Sequence, residues 1–563
     1  MRLRTLVAGS ATLLGLALPV AAHADSLVTT GSPATTFPQN KQNEPGLALD
    51  QFNPTTLVAG ANEEIDLAAC GTGLTSNCPF TPGIGTSGVY FSPTSSLSFV
   101  QPTYTGFTAR DQVTPAGGHS PGPIGTVPNY FEAGLVADGD PTLAFGPAPD
   151  SAGHFSYANG SRLYYSNLAA NTATARTEQT FRGFEAVAVS HADNLASAMA
   201  GNNSAWSSPA IVTFTRQSGT TFSDKPTVWA DNAESSPFFG RVYVCYTQFK
   251  SQQLNGPAPV AVTYSTDGGD TWSHPVTLSA SANNKNGTGR QGCSVRTDST
   301  GRVYVFFEST KNGSSVQLMD RSDDGGAKWD TPRAIADVVD VGEPDPVSGD
   351  FVFDGVAGAR TDSFPSVDIA GGAPTGANAP NTIAVVWSDA RNGTGDEQAR
   401  AVFSTDRGDT WSAGRDIAAA GDRPDFPAIA LSPDGAHVWL TYDNFLQGFQ
   451  QDQSAARRMQ GKVRVGTVTG SFTTKSTGAT GDARGSSANA LDGEFIGDYN
   501  WIVATNSFAV AVYNDVRNAA DCPAVDSWRD ALANGQSPPQ PSPANSCPAK
   551  FGNSDIYAAK VTP

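Results

Sequence analysis

The chain has 563 residues with 53 acidic against 35 basic side chains, a formal net charge of −18 and a pI near 4.7; 39% of residues are hydrophobic, 9% aromatic and only 16% charged. A polyanion would be repelled, which argues against nucleic acid and anionic membrane surfaces as partners, whereas a neutral or amine-bearing ligand or Ca2+ is accommodated. The apolar content suffices for a packed core, and the length suits either several ordinary domains or one large all-β assembly.

The N-terminus, "MRLRTLVAGSATLLGLALPVAAHADS", carries two arginines, a short apolar run and the small-residue box Ala22-His23-Ala24. Residues 1–24 therefore read as a removed secretion signal, and 25–563 as a single exported domain. No other segment approaches the roughly 18 continuous apolar residues of a membrane span, so membrane insertion is not expected. Six cysteines in an exported chain favour disulfides over metal or redox chemistry. Cys70 and Cys78 share a Gly-rich loop, Cys522 and Cys547 bracket the Pro-rich "SPPQPSPANS", and Cys245 and Cys293 lie in strand-like runs on neighbouring strands. Those three pairings are preferred among the alternatives that six cysteines allow.

Along the chain, helical periodicity is nearly absent. Short runs rich in Val, Ile, Phe and Tyr, bounded by Gly, Pro, Asn and Asp, predict strands: "RVYVCYT" (241–247), "GRVYVFFE" (301–308), "NTIAVVWSD" (381–389), "AHVWLTYD" (436–443) and "SFAVAVYND" (507–515). Each follows a second repeated element, a polar or aromatic residue, usually followed by Pro, and then an apolar strand. The copies are "NEPGLALD", "GDPTLAFG", "DKPTVWAD", "QGCSVRTD", "SFPSVDIA", "DFPAIALS" and "GEFIGDYN", aligned on residues 45, 141, 226, 293, 365, 427 and 495. Seven copies of a four-stranded antiparallel unit predict an all-β, seven-bladed β-propeller, with six blades and a decorated terminus as the alternative. Insertions are expected at about 65–135 and, as a Pro-rich disulfide-clipped loop, at 519–550. The last unit has three evident strands, so "SLVTT" (26–30) is expected to complete it and close the ring.

Three units contain Ser-x-Asp-x-Gly-x-(Thr/Lys)-Trp: Ser265, Asp267, Gly269 and Trp272; Ser322, Asp324, Gly326 and Trp329; Ser404, Asp406, Gly408 and Trp411. An Asp that accepts backbone N–H bonds, a Gly with positive φ and a Trp that buries its ring make a hairpin, and none of these needs a substrate. Arg407 replaces the first Gly of the third copy, which leaves the second as the one the backbone requires. The three motifs resemble the Asp-box, or bacterial neuraminidase repeat, of sialidase-like propellers of the exported bacterial type, in which these boxes lie on the face opposite the active site.

Function is therefore expected where the inner strands begin, at the mouth of a central channel. Glu44, Asp140, Asp224 with Lys225, Arg290, Arg360 with Asp362, Arg423 with Asp425, and Glu494 enter those strands. Glu308, Asp389 with Arg391, Asp443, and Asp515 with Arg517 end the second strands at the same face. Phe364, Phe426, Tyr499 and Trp501 are placed to stack on sugars. The resemblance implies an exo-sialidase-like glycoside hydrolase with no organic cofactor: Arg290, Arg360 and Arg423 clamping a substrate carboxylate, Tyr499 with Glu494 as a nucleophile pair, Asp140 as acid/base, and Asp389 and Arg391 as further substrate contacts. Asp-x-Arg is equally the spacing of a loop-bracing ion pair. The family's Arg-Ile-Pro motif is missing, which keeps open a non-catalytic propeller that binds carbohydrate or protein partners. Carboxylates converging on the mouth also suit Ca2+, with no particular ligands singled out. A monomer acting on extracellular glycan or glycoconjugate is expected. The histidines lack metal-ligand spacing, and Gly-x-Ser-x-Gly, HExxH and P-loop patterns are absent.

Overall fold

Val-, Ile-, Phe- and Tyr-rich runs form strands here because β-branched and aromatic side chains pack on pleated surfaces, while Gly, Pro, Asn and Asp end each run in a turn. The computed structural model describes residues 25–71, 78–94, 96–112, 119–214, 218–250, 258–279 and 292–563. The secretion signal expected at 1–24 and Arg290 lie outside them. Seven antiparallel sheets stand in a ring, each inner strand packed against those of the units before and after it. The inner strands are Gln42–Leu49, Thr142–Pro149, Phe222–Ala230, Ser294–Thr297, Ser366–Ile369, Arg423–Leu431 and Trp501–Ala504, numbered here as blades 1 to 7. Blade 1 has three paired strands, and Val100 bridges to the outermost of them at Phe91.

The expected closure is observed. Ser26–Leu27 pairs with Asp555–Val561, Ser26 opposite Ala558, and supplies the fourth strand of blade 7. The seventh repeat, however, is offset from its sequence alignment. Ala504 makes the last pair of its inner strand, with Ala509, as Ala230 does with Val242 in blade 3, and this register puts Asn500, not Phe495, where other units have Pro.

Apolar burial is distributed between sheets. Seven clusters each mix residues of two adjacent blades, among them Val58 with Leu143, Val189 with Val244, Tyr304 with Trp387, and Leu47 with Val510 across the closure. Both faces of each sheet are covered. That is why second strands such as Ile383–Asp389 are buried at every position and read as unbroken apolar runs.

The three Trp-ended turns share one set of bonds. The Ser hydroxyl donates to the Asp carboxylate and accepts from the second Gly N–H (2.8 Å at Gly269 and Gly408, 2.9 Å at Gly326), and the indole donates to that glycine's carbonyl in the first two copies. Each turn joins the third and fourth strands, at the end of the blade where inner strands finish. Each also leans on the preceding blade: Arg162 donates to the Gly268 carbonyl (2.8 Å), Arg241 to Gly325, and Tyr304 to Arg407 (3.3 Å). Both glycine positions are left-handed. Gly268, Gly325 and Arg407 have φ of 80, 70 and 62°, so the first position demands the conformation as well and Arg407 adopts it, held by Asp298 at 2.7 Å.

The two insertions expected from the sequence decorate the ring, as does a small sheet of Glu343–Pro344 with Phe351–Val352. The first carries the hairpin Tyr104–Thr108 with Ser120–Ile124. Within 519–550 the chain is not wholly a loop: Pro523 opens an 11-residue helix to Ala533, followed by left-handed Gly535, and a Pro-rich return precedes Cys547. The disulfides are Cys70–Cys78, Cys245–Cys293 and Cys522–Cys547. Cys245–Cys293 spans two blades rather than two strands of one sheet. In the chain-entropy view, its 48-residue separation is worth about 4 kcal/mol. The double variant Cys245→Ala/Cys293→Ala is therefore expected to lower unfolding stability by about 2–4 kcal/mol in denaturant titration, whereas reducing the short Cys70–Cys78 loop changes it less.

Candidate functional site

Strand register brings one residue from each blade to the upper mouth of the channel, where inner strands begin. Glu44, Asp140 and Lys225 occupy it in blades 1 to 3; Gly292, Phe364, Phe426 and Tyr499 complete the ring. Glu44, Asp140, Lys225 and Phe426 have φ of 55, 51, 51 and 49°, although each precedes a proline and would ordinarily be extended. Such backbone costs roughly 1–3 kcal/mol per residue. In blades 1, 3 and 6 it accompanies a β-bulge, with register shifts at Asn43/Gly46, Asp224/Thr227 and Asp425/Ala428, which re-aims a side chain inward. Gly292 (φ 87°) leaves room for the Phe364 ring, 2.2 Å from where its Cβ would be.

The charged side chains meet around Lys225. Its ammonium ion-pairs with Asp498 and lies 3.5 Å from Glu44 and 3.8 Å from Asp140, all four nearly buried. Arg360 reaches Asp498 at 2.7 Å and keeps 42% of its side chain exposed. Asn62 donates to Glu44 (2.8 Å), and its carbonyl oxygen accepts from the Asp140 N–H (2.8 Å). Gly497, left-handed, passes so close to Glu44 that a Cβ would lie 2.9 Å from the Glu44 nitrogen, and this close pass delivers Asp498 to the cluster.

These neighbours push two carboxyls in opposite directions. Burial and the adjacent Glu44 raise Asp140 well above the usual carboxylate range, against the pull of Lys225. Burial would raise Asp498 too, but Arg360 and Lys225 outweigh it and hold that carboxyl below its ordinary value. Burial, then the charges of Asp140, Glu44 and Asp498, raise Tyr499 well above 10, and Lys225 lies 5.2 Å from its ring centre.

Other residues expected at the site are placed elsewhere or differently engaged. Glu494 is fully buried beside Arg529 (3.0 Å) of the C-terminal helix, and burial lifts it to about 7; the charges that act most on Tyr499 are those of Asp140, Glu44 and Asp498. Arg423 is buried between Glu397 (2.8 Å) and Asp354 (2.6 Å), so it and Arg360 share no carboxylate. Asp389 and Arg391 form a two-pronged pair with each other (2.6 and 2.7 Å), with the Trp387 indole also donating to Asp389. Among the described residues, no group of three or more His, Cys, Asp or Glu is arranged to hold a metal ion.

Asp498 escaped the sequence reading because the seventh unit was aligned on Phe495. Its signal is Gly497, the one residue able to bring the chain past Glu44.

No family model matches this chain, and no curated protein does. Among solved structures it is similar to the Hadza microbial sialidase Hz136 (12% identity, TM-score 0.38, covering 73% of this chain and 64% of that one). It is also similar to the α-L-arabinofuranosidase Arb93A from Fusarium graminearum (12%, 0.36, 77% and 94%) and the NanB sialidase from Streptococcus pneumoniae (10%, 0.38, 76% and 68%). Among the described residues, no helix is long and apolar enough to cross a membrane.

Beneath and beside the mouth, buried carboxyls stay protonated unusually late. Burial raises Asp425 to about 8, despite bonds from Thr361 (2.8 Å) and Ser388 (3.3 Å), and raises Glu63 to about 7. The folded state then binds more protons than the unfolded chain between the unfolded carboxylate value near 4 and these values. Stability is expected to fall as pH rises from about 4 to 8, each such group contributing a slope approaching about 1.4 kcal/mol per pH unit. Thermal unfolding across that range checks it, and Asp425→Asn, which retains an acceptor without the titration, should flatten the upper part of the curve.

Proposed function

We propose that this is an exported propeller whose upper mouth binds the end of an extracellular glycan and hydrolyses its terminal glycosidic bond. The observation that supports the reading is a pair of buried carboxyls, Asp140 and Asp498, set around one ammonium, in surroundings that push the first above and the second below the usual carboxylate range. Environments that drive two carboxyls apart in this way separate an acid from a base. Asp140, whose carboxyl holds its proton above the usual carboxylate range, suits proton donation to a departing glycosidic oxygen. Asp498, held ionised, suits stabilisation of the positive charge that builds on the sugar ring, or activation of water. Among the described residues, Arg360, half open to solvent, is the mouth arginine available to a substrate, and Phe364 and Phe426 offer apolar walls for sugar faces.

Tyr499 stays a phenol at neutral pH and is suited to donate to substrate. For it to act as the nucleophile that the sialidase resemblance implies, Asp140, Glu44 or Asp498 would serve as its base, since Glu494 is engaged by Arg529. A second reading, glycan binding without turnover, is favoured by the neutralisation of Lys225 within its own carboxylate cluster.

Turnover of a panel of chromogenic glycosides and sialosides by the mature protein separates the two. Hydrolysis is expected, with kcat/KM reduced about 100- to 10,000-fold in Asp140→Asn and the melting temperature little changed. Glycan binding without turnover would leave the binding reading, and neither would remove both.

A further inference from the structure

Below the mouth the same register builds two more levels. At the middle level, hydroxyls stitch neighbouring inner strands: Thr227 donates to the Cys293 carbonyl (2.7 Å), and Ser366 accepts from the Ile429 N–H (3.1 Å). At the next level, blades 3, 4 and 5 supply Trp229, Arg296 and Asp368, while blades 1 and 2 supply Ala48 and Ala144, whose small side chains leave space opposite. The result is a cavity open at the lower end of the channel, separated from the mouth by Arg296 and Trp501, which line both.

Arg296 is only 6% exposed, yet its bonding is incomplete. One terminal nitrogen donates to the Val295 carbonyl (2.9 Å); among the described residues Nε has no hydrogen-bond partner, and it lies 3.5 Å from Asp368 Oδ1, too far for a good hydrogen bond. Asp368 accepts from the Leu431 N–H through its other oxygen (2.8 Å). The guanidinium carbon sits 4.5 Å from the Trp229 ring centre and 5.9 Å from that of Trp501. A buried donor beside a half-buried acceptor, slightly too far apart to satisfy each other, calls for a group that both accepts and donates. A hydroxyl does both. The site's own charges cancel, which disfavours an ionic ligand, and its indole walls favour a molecule with an apolar face.

We propose that the lower end of the channel is a separate binding site for a neutral sugar, one of whose hydroxyls bridges Arg296 Nε and Asp368 Oδ1 while its ring packs against the indoles. This site lies at the opposite end from the mouth and does not depend on hydrolysis there.

The test is isothermal titration and tryptophan emission with methyl β-D-glucopyranoside, methyl β-D-galactopyranoside, methyl α-L-arabinofuranoside and myo-inositol, with methyl β-D-glucuronide as the anionic comparison, on the full mature chain. At least one neutral probe is expected to bind, with affinity unchanged in Asp140→Asn and weakened about tenfold or more in Arg296→Met and in Asp368→Asn. Asp368→Asn carries the decision should Arg296→Met fail to fold, which its unchanged melting curve checks. The proposal is overturned if no neutral probe binds at millimolar concentration, if only the glucuronide binds, or if binding is lost in Asp140→Asn and retained in the lower-site variants.

Discussion

Everything in this molecule depends on the requirement that each sheet be covered on both faces. A four-stranded sheet whose second strand is buried at every position, as Ile383–Asp389 is, cannot stand in water alone. The only arrangement that covers all seven sheets without leaving an end is a closed ring. Closure then becomes a long-range event, because residues more than 450 positions apart in sequence must meet: Ser26 pairs with Ala558, and Leu47 packs with Val510. The Trp-ended turns act on the same problem locally, each placing a backbone carbonyl on an Arg or Tyr of the preceding blade.

A ring closed in this way can hold unfavourable local structure. Four left-handed residues and a buried ammonium among carboxylates would each relax if their blade were free to move. Lys225 is tolerable only because Asp498 and Glu44 compensate its desolvation, and Asp498 reaches it only because Gly497 permits a close pass to Glu44. The cluster therefore draws on blades 1, 2, 3 and 7, and on Arg360 from the segment entering blade 5. It forms only when the ring is complete, which couples the integrity of the mouth to the closure between first and last blades.

The architecture was legible in the sequence because repetition reports a backbone requirement seven times over. Second strands, turns, the closing segment and the cysteine pairs follow from local pattern. The site was legible in position but not in membership. Which charge meets which depends on register, and a five-residue offset in the seventh unit conceals Asp498 and puts Tyr499, not Glu494, at the ring position shared by the other units. Arg423 and Glu494 have the composition of site residues, yet partners supplied by distant segments occupy them, Asp354 and Glu397 from loops and Arg529 from the Pro523–Ala533 helix. No spacing rule reveals such partners. The Pro523–Ala533 helix was obscured for a plainer reason: eleven helical residues sit beside a Pro-rich return that dominates the composition of the segment.

The channel shows how one repeated strand yields dissimilar chemistry along its length. Because side chains alternate along a strand, every second inner-strand residue of all seven blades falls on a common level. The fold asks different things of those levels. At the middle, small hydroxyl residues of blades 2 to 5 bond to the next strand's backbone, so there that level is committed to holding the ring. The levels above and below are free of that duty and carry the unusual residues, Glu44, Asp140 and Lys225 above and Trp229, Arg296 and Asp368 below. In both, polar groups come from consecutive blades on one side of the channel and small or apolar residues face them. That asymmetry, within a nearly symmetric ring, is what a site for an asymmetric ligand requires, and it arises at two levels separated by one that serves the scaffold.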